Sequence, residues 1–179
     1  MKKFATVLLF APILALAAKD NKEYIEDLKS ADDGVAIAAA QYLGNDGVKD
    51  AIEPLGEVVK SNRSAGVRIA AASALGKMDT KGRPTTLLRE AIEVDQDNQV
   101  VYTQLLALLN LKDVDNADLT RAVEFCEKNK QSDIFISDIV ARIRKVVPKK
   151  EAAPAAEPAK TEAPAAEPAK PETPAEAPK

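Results

Sequence analysis

The chemistry open to this chain is limited by its reactive side chains. Cys126 is the only cysteine, and the sequence contains no histidine. Histidine-dependent catalytic triads, histidine-ligated zinc, four-cysteine zinc folds and intramolecular disulfides are therefore excluded. Cys126 follows Leu119, Ala122 and Val123 at helical spacing, which favours a buried thiol, since free cysteine is among the most buried residue types. A reactive or cross-linking role is the alternative, but no histidine could activate the thiol.

Two clusters of acidic and amide side chains have the oxygen ligands that Ca²⁺ prefers. They occupy residues 95–98, Asp-Gln-Asp-Asn, and residues 113–118, Asp-Val-Asp-Asn-Ala-Asp. Neither has the glycine at loop position six or the acidic residue at position twelve that an EF-hand requires. Both lie where turns between helices are expected, and Asp and Asn are common turn and cap residues. We therefore expect turns and caps, with ion binding as the alternative.

A basic cluster ends the last predicted helix. Its members are Arg142, Arg144, Lys145, Lys149 and Lys150. Cations at a helix C-terminus complement the helix dipole, which is the simplest explanation. The alternative is that the cluster faces an anionic envelope surface. The chain as a whole has a net charge of −3, so electrostatics give no reason to expect nucleic-acid binding.

The elements that carry these residues are expected to be helices, because apolar residues recur at helical spacing and no stretch alternates with period two. Steps of about 32 to 34 residues link four apolar rows, which indicates a repeat. The rows are Val35, Ala39 and Leu43; Val67, Ala71 and Leu75; Val101, Leu105 and Leu109; and Phe135, Ile139 and Ile143. Gly76 follows the second row and is predicted to stop its helix, and Gly44 is the matching glycine after the first row.

A further amphipathic segment precedes each row. The apolar residues of these segments are Tyr24, Ile25 and Leu28; Ile52, Leu55, Val58 and Val59; Leu87, Leu88, Ala91 and Ile92; and Leu119, Ala122, Val123 and Cys126. Pro84 suits a first helical turn, and Asn116 or Asp118 could cap the fourth pair. Pro54 requires a helix that begins near Asp50. We predict an all-α, right-handed α-solenoid of about four helix pairs over residues 18–147.

Two stretches of the sequence resemble a known family. Residues 50–55, Asp-Ala-Ile-Glu-Pro-Leu, and residues 66–76, Gly-Val-Arg-Ile-Ala-Ala-Ala-Ser-Ala-Leu-Gly, look like a bacterial HEAT repeat of the type named after the phycobilisome lyases. The resemblance covers residues 33–78, and beyond them only the apolar spacing continues. The family often places an arginine after the valine to form a polar ladder along the solenoid. Only Arg68 matches this position, and no binding residue is carried over.

Residues 1–17 have the pattern of a secretory signal peptide. Lys2 and Lys3 precede an apolar run from Phe4 to Ala17, which ends in Ala-Leu-Ala. The run is shorter than the roughly 20 residues of a transmembrane helix. We predict cleavage after Ala17, with Ala18 as the alternative, and export to the periplasm or the exterior of a bacterium. No cysteine follows the run to accept a lipid anchor.

Residues 148–179 differ in composition from the rest of the chain. They contain eight of the eleven prolines, among Ala, Glu and Lys, in a repeated pattern: residues 151–160 recur as 161–170, and a degenerate third copy follows. No side chain there is large and apolar, so nothing offsets the entropy of ordering the segment. Frequent proline prevents a continuous helix. We predict a disordered, semi-extended tail that serves as a spacer or tether.

The second helices of the third and fourth pairs are apolar nearly all round. Ile134, Phe135 and Ile136 are consecutive, and residues 100–111 contain eight Val, Tyr or Leu residues. Such helices are usually central in a stack. The alternative is a partner groove on the inner surface, since exposed apolar patches often mark interaction sites.

These observations predict a non-enzymatic interaction scaffold or adaptor in the bacterial cell envelope, with no cofactor and no bound metal. Its partner would be a protein bound on the solenoid surface, while the tail could contact an envelope surface. One alternative is a structural tether that acts through the tail. Another, implied by the family resemblance alone, is a lyase or chaperone-like factor, but lyases of that type act beside cytosolic pigment proteins and an export signal argues against it.

Overall fold

The computed structural model describes residues 19–61 and 63–147, which form eight α-helices and no strand. The predicted signal peptide and tail lie outside the described residues. A short 3-10 turn, Lys49–Ala51, leads into the third helix. The helices are α1 (Asn21–Asp27), α2 (Asp33–Asn45), α3 (Ile52–Val59), α4 (Ala65–Leu75), α5 (Arg83–Val94), α6 (Asn98–Leu111), α7 (Ala117–Asn129) and α8 (Ile134–Arg144).

The helices form four antiparallel pairs arranged in two layers. Each first helix (α1, α3, α5 or α7) packs on the second helix that follows it (α2, α4, α6 or α8). The second helices also pack on one another in the order α2, α4, α6, α8, and α3, α5 and α7 form the other layer. Each pair thus contacts mainly its neighbours, as in a solenoid. The predicted all-α solenoid of four pairs is confirmed.

Side-chain caps fix where the second helices begin. Asp32, Ser64, Asp97 and Asp133 each accept a hydrogen bond from a backbone N–H in the first turn of the helix that follows. The Asp133 carboxylate, for example, accepts from the N–H groups of Phe135 and Ile136 at 2.9 and 3.0 Å. These bonds satisfy donors that have no partner within the helix. The caps therefore define equivalent positions in the four repeats.

Counting from the caps corrects the register that the sequence predicts. Val67, Val100 and Ile136 occupy the same position after their caps, and all three are buried. Phe135, which the repeat spacing aligns with core residues, lies one position before Ile136 and is 70% exposed. Val35 has the same position after its cap as Val67 but is 37% exposed, so its exposure does not come from a shift in register. The interval between the last two caps, Asp97 and Asp133, is the longest. The repeat spacing that leads from Val101 to Phe135 is two residues shorter than this interval. Val101 therefore lies four positions after its cap, but Phe135 lies only two positions after its own.

At two of the three contacts between second helices, α2 with α4 and α4 with α6, the helices approach closely because glycine lies at the crossing point. A Cβ atom at Gly44 would lie 2.5 Å from the Cα of Ala74, and one at Gly76 would lie 2.7 Å from the Cα of Ala107. Gly76 has an ordinary right-handed φ of −68°. Gly44 does not stop its helix, which continues to Asn45. These glycines are therefore required for helix packing, and Gly76 is also the C-cap of α4, which agrees with its predicted place at the end of the helix.

The proline and cap predictions agree with the structure. Pro84 lies in the first turn of α5, and Asn116 caps α7 by accepting from the N–H of Asp118 at 2.9 Å. Pro54 lies in the first turn of α3, behind the 3-10 turn. At these sites the missing N–H of proline removes no helical hydrogen bond.

A substitution at Gly44 tests the helix crossing. Gly44→Ala is expected to lower the free energy of unfolding by about 1–3 kcal/mol, because the new methyl must push the backbone of α4 away. Gly66→Ala is the matched control, because its Cβ would meet only ordinary van der Waals contacts, the Ile37 Cδ1 at 3.6 Å and the Ser64 Oγ at 4.0 Å. The control should gain up to about 1 kcal/mol from helix propensity. Urea unfolding followed by circular dichroism measures both, and equal stabilisation would contradict the close approach.

Candidate functional site

The surface of the second helices carries a row of partly exposed apolar side chains. Ile37, Ile69 and Tyr102 occupy the same position after their caps, and each is half-buried. Phe135, from the last second helix, extends the row. We call these four residues the apolar row. Because they come from α2, α4, α6 and α8, the row runs along the stack and is formed only when the repeats pack.

The apolar row ends in a groove between α6 and α8. The groove has a volume of about 510 Å³ and is lined by Asn98, Gln99, Tyr102, Asp133 and Phe135. The Asn98 side-chain amide donates to the Asp133 carboxylate at 3.0 Å across the end of the groove. An apolar cleft with a few polar groups at its edge is the usual form of a binding pocket.

The depth of the surface changes along the stack because one position changes residue type. Two positions after the cap, the first and second repeats have Gly34 and Gly66, the third has Gln99 and the fourth has Phe135. The first two repeats therefore have no side chain at this position beside Ile37 and Ile69. The side chains that could enclose a ligand project only from the last two repeats.

A continuous polar ladder links all four repeats along the loops that join first to second helices. Arg63 donates to the Asp33 carboxylate at 2.8 Å, and the backbone carbonyl of Arg63 accepts from the Arg68 guanidinium. Arg68 then forms two bonds with the Asp95 carboxylate, at 2.8 and 3.1 Å. Lys130 reaches back to the carbonyl of Asp95 at 3.3 Å and thus joins the fourth repeat to the third.

This ladder differs from the one that the family resemblance implies. The implied ladder repeats an arginine at one helix position, and Arg68 is its single match. In the structure Arg63 and Lys130, both in loops, supply the other cations. Sequence reasoning missed these two residues because they lie outside the helical pattern. The feature of the sequence that could have identified them is that each is a basic residue in the loop between the first and second helix of its repeat.

The acidic clusters serve the fold rather than forming a common centre. Asp95 binds Arg68, and Asp97 caps α6. Asp113 is buried and accepts from the Gly82 N–H and the Thr85 hydroxyl, both at 2.8 Å. It thus joins the loop between α6 and α7 to the start of α5. Within residues 19–61 and 63–147, no three acidic or cysteine side chains converge on a point that could hold a metal ion.

The Asp113 carboxyl keeps its charge although it is buried. Burial by itself raises the pKa of this group, but hydrogen bonds from Asn116, Gly82 and Thr85 outweigh burial and lower the pKa below its ordinary value. The Asn116 amide donates at 2.7 Å. Asp113 is therefore ionised and accepts hydrogen bonds from three neutral donors, one in its own loop and two at the start of α5.

Cys126 is buried among apolar residues, as the sequence predicts. Burial raises the pKa of its thiol to about 12, well above the ordinary value. The thiolate is the reactive form of cysteine, so the side chain is inert as a nucleophile in the folded protein near neutral pH.

The basic cluster is partly neutralised within the fold. Arg144 forms two bonds with Glu127 of α7, at 2.8 and 2.9 Å, and Arg142 pairs with Asp138 at 2.8 Å. The hydrogen bonds to Glu127 raise the pKa of Arg144. Lys149 and Lys150 lie outside the described residues. The two arginines thus hold α8 together and fix it to α7, which weakens the interpretation of the cluster as an anionic-surface site.

The fold and surface define a helical-repeat solenoid whose second helices carry a row of partly exposed apolar side chains. The sequence matches the protein family described as HEAT repeats over residues 13–120, so the chain belongs to that family. No curated protein matches the chain in sequence. Among the described residues, no helix has the length and apolar character needed to cross a membrane. HEAT repeats generally mediate protein–protein interaction.

Removing one partner of the ladder's most buried pair tests its contribution to stability. Asp95→Ala should lower the free energy of unfolding by about 3 kcal/mol, because the Arg68 guanidinium would remain largely buried without its counter-ion. The side chains of Arg68 and Asp95 are only 16% and 5% exposed. Glu53→Ala is the control, since its pair with Arg83 is about half exposed and should be worth under about 1 kcal/mol. Equal losses in urea unfolding would contradict the prediction.

Thiol labelling tests the state of Cys126. At pH 8, a pKa of about 12 leaves about one thiol in ten thousand ionised. The folded protein should therefore react with a disulfide reagent orders of magnitude more slowly than the protein in guanidinium chloride, which should titrate one thiol per chain. Complete labelling of the folded protein within minutes would show that Cys126 is accessible and activated.

Proposed function

We propose that the protein is a non-enzymatic interaction scaffold of the bacterial cell envelope that binds a partner protein on its apolar row. The observation that carries this proposal is the groove between α6 and α8, where Tyr102 and the 70% exposed Phe135 meet. Aromatic side chains dominate the energetics of protein interfaces because they bury large areas with few rotatable bonds.

The chemistry of the groove indicates what it would bind. Its walls are aromatic, and its rim offers the amide of Gln99. The Asn98 amide already donates to Asp133 at 3.0 Å and accepts from Lys130 at 3.2 Å. Asp133 is occupied by two backbone donors of α8 and by Asn98, so it adds little free acceptor capacity. The groove therefore suits an apolar side chain of a partner whose neighbouring backbone can bond with the Gln99 amide. Ile37 and Ile69 would extend the contact along the first two repeats.

The proposed location rests on the two ends of the sequence. The charged start and apolar run of residues 1–17 support export, and residues 148–179 have the composition of a spacer. In this proposal the solenoid binds the partner and the tail provides reach. The competing function, a tether whose tail is the working part, requires that binding depend on the tail.

Affinity capture from envelope fractions tests the proposal. The bait is the exported protein. It is compared with a double variant, which carries Tyr102→Ala and Phe135→Ala, and with a chain truncated after Lys150. The amount of partner recovered with the double variant should fall at least about tenfold, since aromatic hot spots typically contribute about 2 kcal/mol or more to binding. Val94→Ala is the matched control, because Val94 is 60% exposed but lies at the end of α5, outside the apolar row.

The outcomes separate the competing functions. Capture that survives truncation but fails in the double variant supports the solenoid surface as the binding site. Capture that is lost on truncation and unchanged in the double variant would favour the tail. The intact mass of the recovered bait tests cleavage after Ala17 in the same experiment, because an unprocessed chain would contradict export.

A further inference from the structure

The side of α2, α4 and α6 that carries the apolar row is almost free of charge, although 30% of the residues in the chain are charged. It consists of the positions two, five, nine and thirteen residues after each cap, which share one side of a helix with 3.6 residues per turn. We call this side of the three helices the neutral face. Its polar side chains, all at least partly exposed, are Gln41, Asn45, Ser73, Lys77, Gln99 and Asn110.

The charges on and beside the neutral face have partners. Lys77 donates to the Asn45 side chain at 2.7 Å. At the matching positions of α8, Asp138 and Arg142 bind each other at 2.8 Å. A charged side chain of a ligand would lose water on this surface without gaining a counter-ion, which is unfavourable. The neutral face is therefore complementary to an uncharged ligand.

Amide groups on the neutral face are available to a ligand backbone. Among the described residues, the side chains of Gln41, Gln99 and Asn110 have no hydrogen-bond partner. A ligand whose backbone carbonyls are unpaired would satisfy their N–H groups. A polyproline II segment has such carbonyls, because it forms no internal hydrogen bonds, and proline adds no N–H of its own. An α-helix, in contrast, uses its carbonyls internally.

The spacing of the apolar row also favours a polyproline II ligand. Ile37, Ile69 and Tyr102 come from successive second helices, and helices that pack on one another lie about 8–10 Å apart. A polyproline II helix advances about 9 Å in one turn of three residues. Every third residue can therefore contact one repeat. A β-strand places a side chain on the same face every 6–7 Å or so, which does not match.

We propose that the partner is recognised through an uncharged, proline-rich segment in the polyproline II conformation, which lies along the apolar row. This inference rests on the proposed function and names the chemistry of the partner. One residue in three contacts Ile37, Ile69 and then the groove, where it packs between Tyr102 and Phe135. Aromatic-lined grooves with hydrogen-bond donors at the rim are a general means of binding such segments. The Gln99 amide, at the rim of the groove, donates to a ligand carbonyl.

Binding of nonaproline, an uncharged polyproline II peptide, tests the proposal. In nitrogen–proton correlation spectra of the exported protein, the peptide should shift the Gln99 side-chain amide and bind with a dissociation constant on the order of 100 µM. The double variant with Tyr102→Ala and Phe135→Ala should bind at least about tenfold more weakly, whereas Val94→Ala should bind like the wild type. Unchanged circular dichroism would show that the variants fold. No response at several millimolar peptide would overturn the proposal.

Peptide length tests the register along the row. Hexaproline, one turn shorter, reaches two of the three contact points and should bind about threefold more weakly than nonaproline. Ile37→Ala should reduce the affinity for nonaproline to that for hexaproline and leave hexaproline binding unchanged, because the shorter peptide can occupy Ile69 and the groove. If Ile37→Ala affected both peptides equally or neither, the ligand would not follow the row.

A charged peptide tests the neutral face. The sequence of residues 151–160 has two prolines but carries two glutamates and a lysine. As a synthetic peptide it should bind at least about tenfold more weakly than nonaproline, because its charges find no counter-ions on the neutral face. Equal affinity would show that the surface does not select uncharged segments and would contradict the proposal.

Competition separates this proposal from the proposed function. Excess nonaproline should release the captured partner from the wild-type bait. If capture depends on Tyr102 and Phe135 but nonaproline does not compete, the proposed function holds and the partner is not proline-rich. If the double variant captures the partner as well as the wild type does, the proposed function itself fails, and this inference fails with it.

Discussion

The close packing of each second helix on the next is the constraint on which the rest of the structure depends. It requires positions without a side chain, and Gly44 and Gly76 provide them against Ala74 and Ala107. Because glycine and alanine fill these two crossing points, α2, α4 and α6 approach one another closely, while α8 packs on α6 without a glycine in either helix. The first helices and loops then adopt the spacing that this layer sets. The apolar row follows from the same constraint, since its members come into line only when the second helices are in contact.

Polar side chains then keep the stack in register. The ladder from Asp33 to Lys130 joins successive loops on one edge, and Asp113 joins loops on the other. The Arg68–Asp95 pair and Asp113 are shielded from water, where breaking a pair is expensive, whereas the Asp33 side chain of the ladder is 46% exposed. One polar residue has no such role: Gln104 is fully buried, and neither of its side-chain atoms has a partner among the described residues. It replaces the alanine found at this position in the first two repeats, and we have no structural explanation for it.

The side chains that suggested chemistry in the sequence are used for stability. Cys126 fills the core, Asp97 and Asn116 cap helices, and Asp95 neutralises an arginine. The surface that remains includes the apolar row, whose side chains are partly exposed on the second helices. A surface of this kind gains free energy mainly by burying apolar area against another protein. This is why the structure supports binding as the function, in agreement with the behaviour of the HEAT family.

The sequence by itself determined the fold class, the four helix pairs, the burial of Cys126 and the family. These follow from local periodicity and from repetition, both of which are visible in one chain. Only the tertiary structure decided that Phe135 lies on the surface, because a longer interval before Asp133 shifts the last helix relative to a fixed repeat. It also decided which cations complete the ladder, since Arg63 and Lys130 reach acceptors in the neighbouring repeat. Contacts between residues so far apart in sequence depend on how the repeats stack, so local periodicity does not predict them.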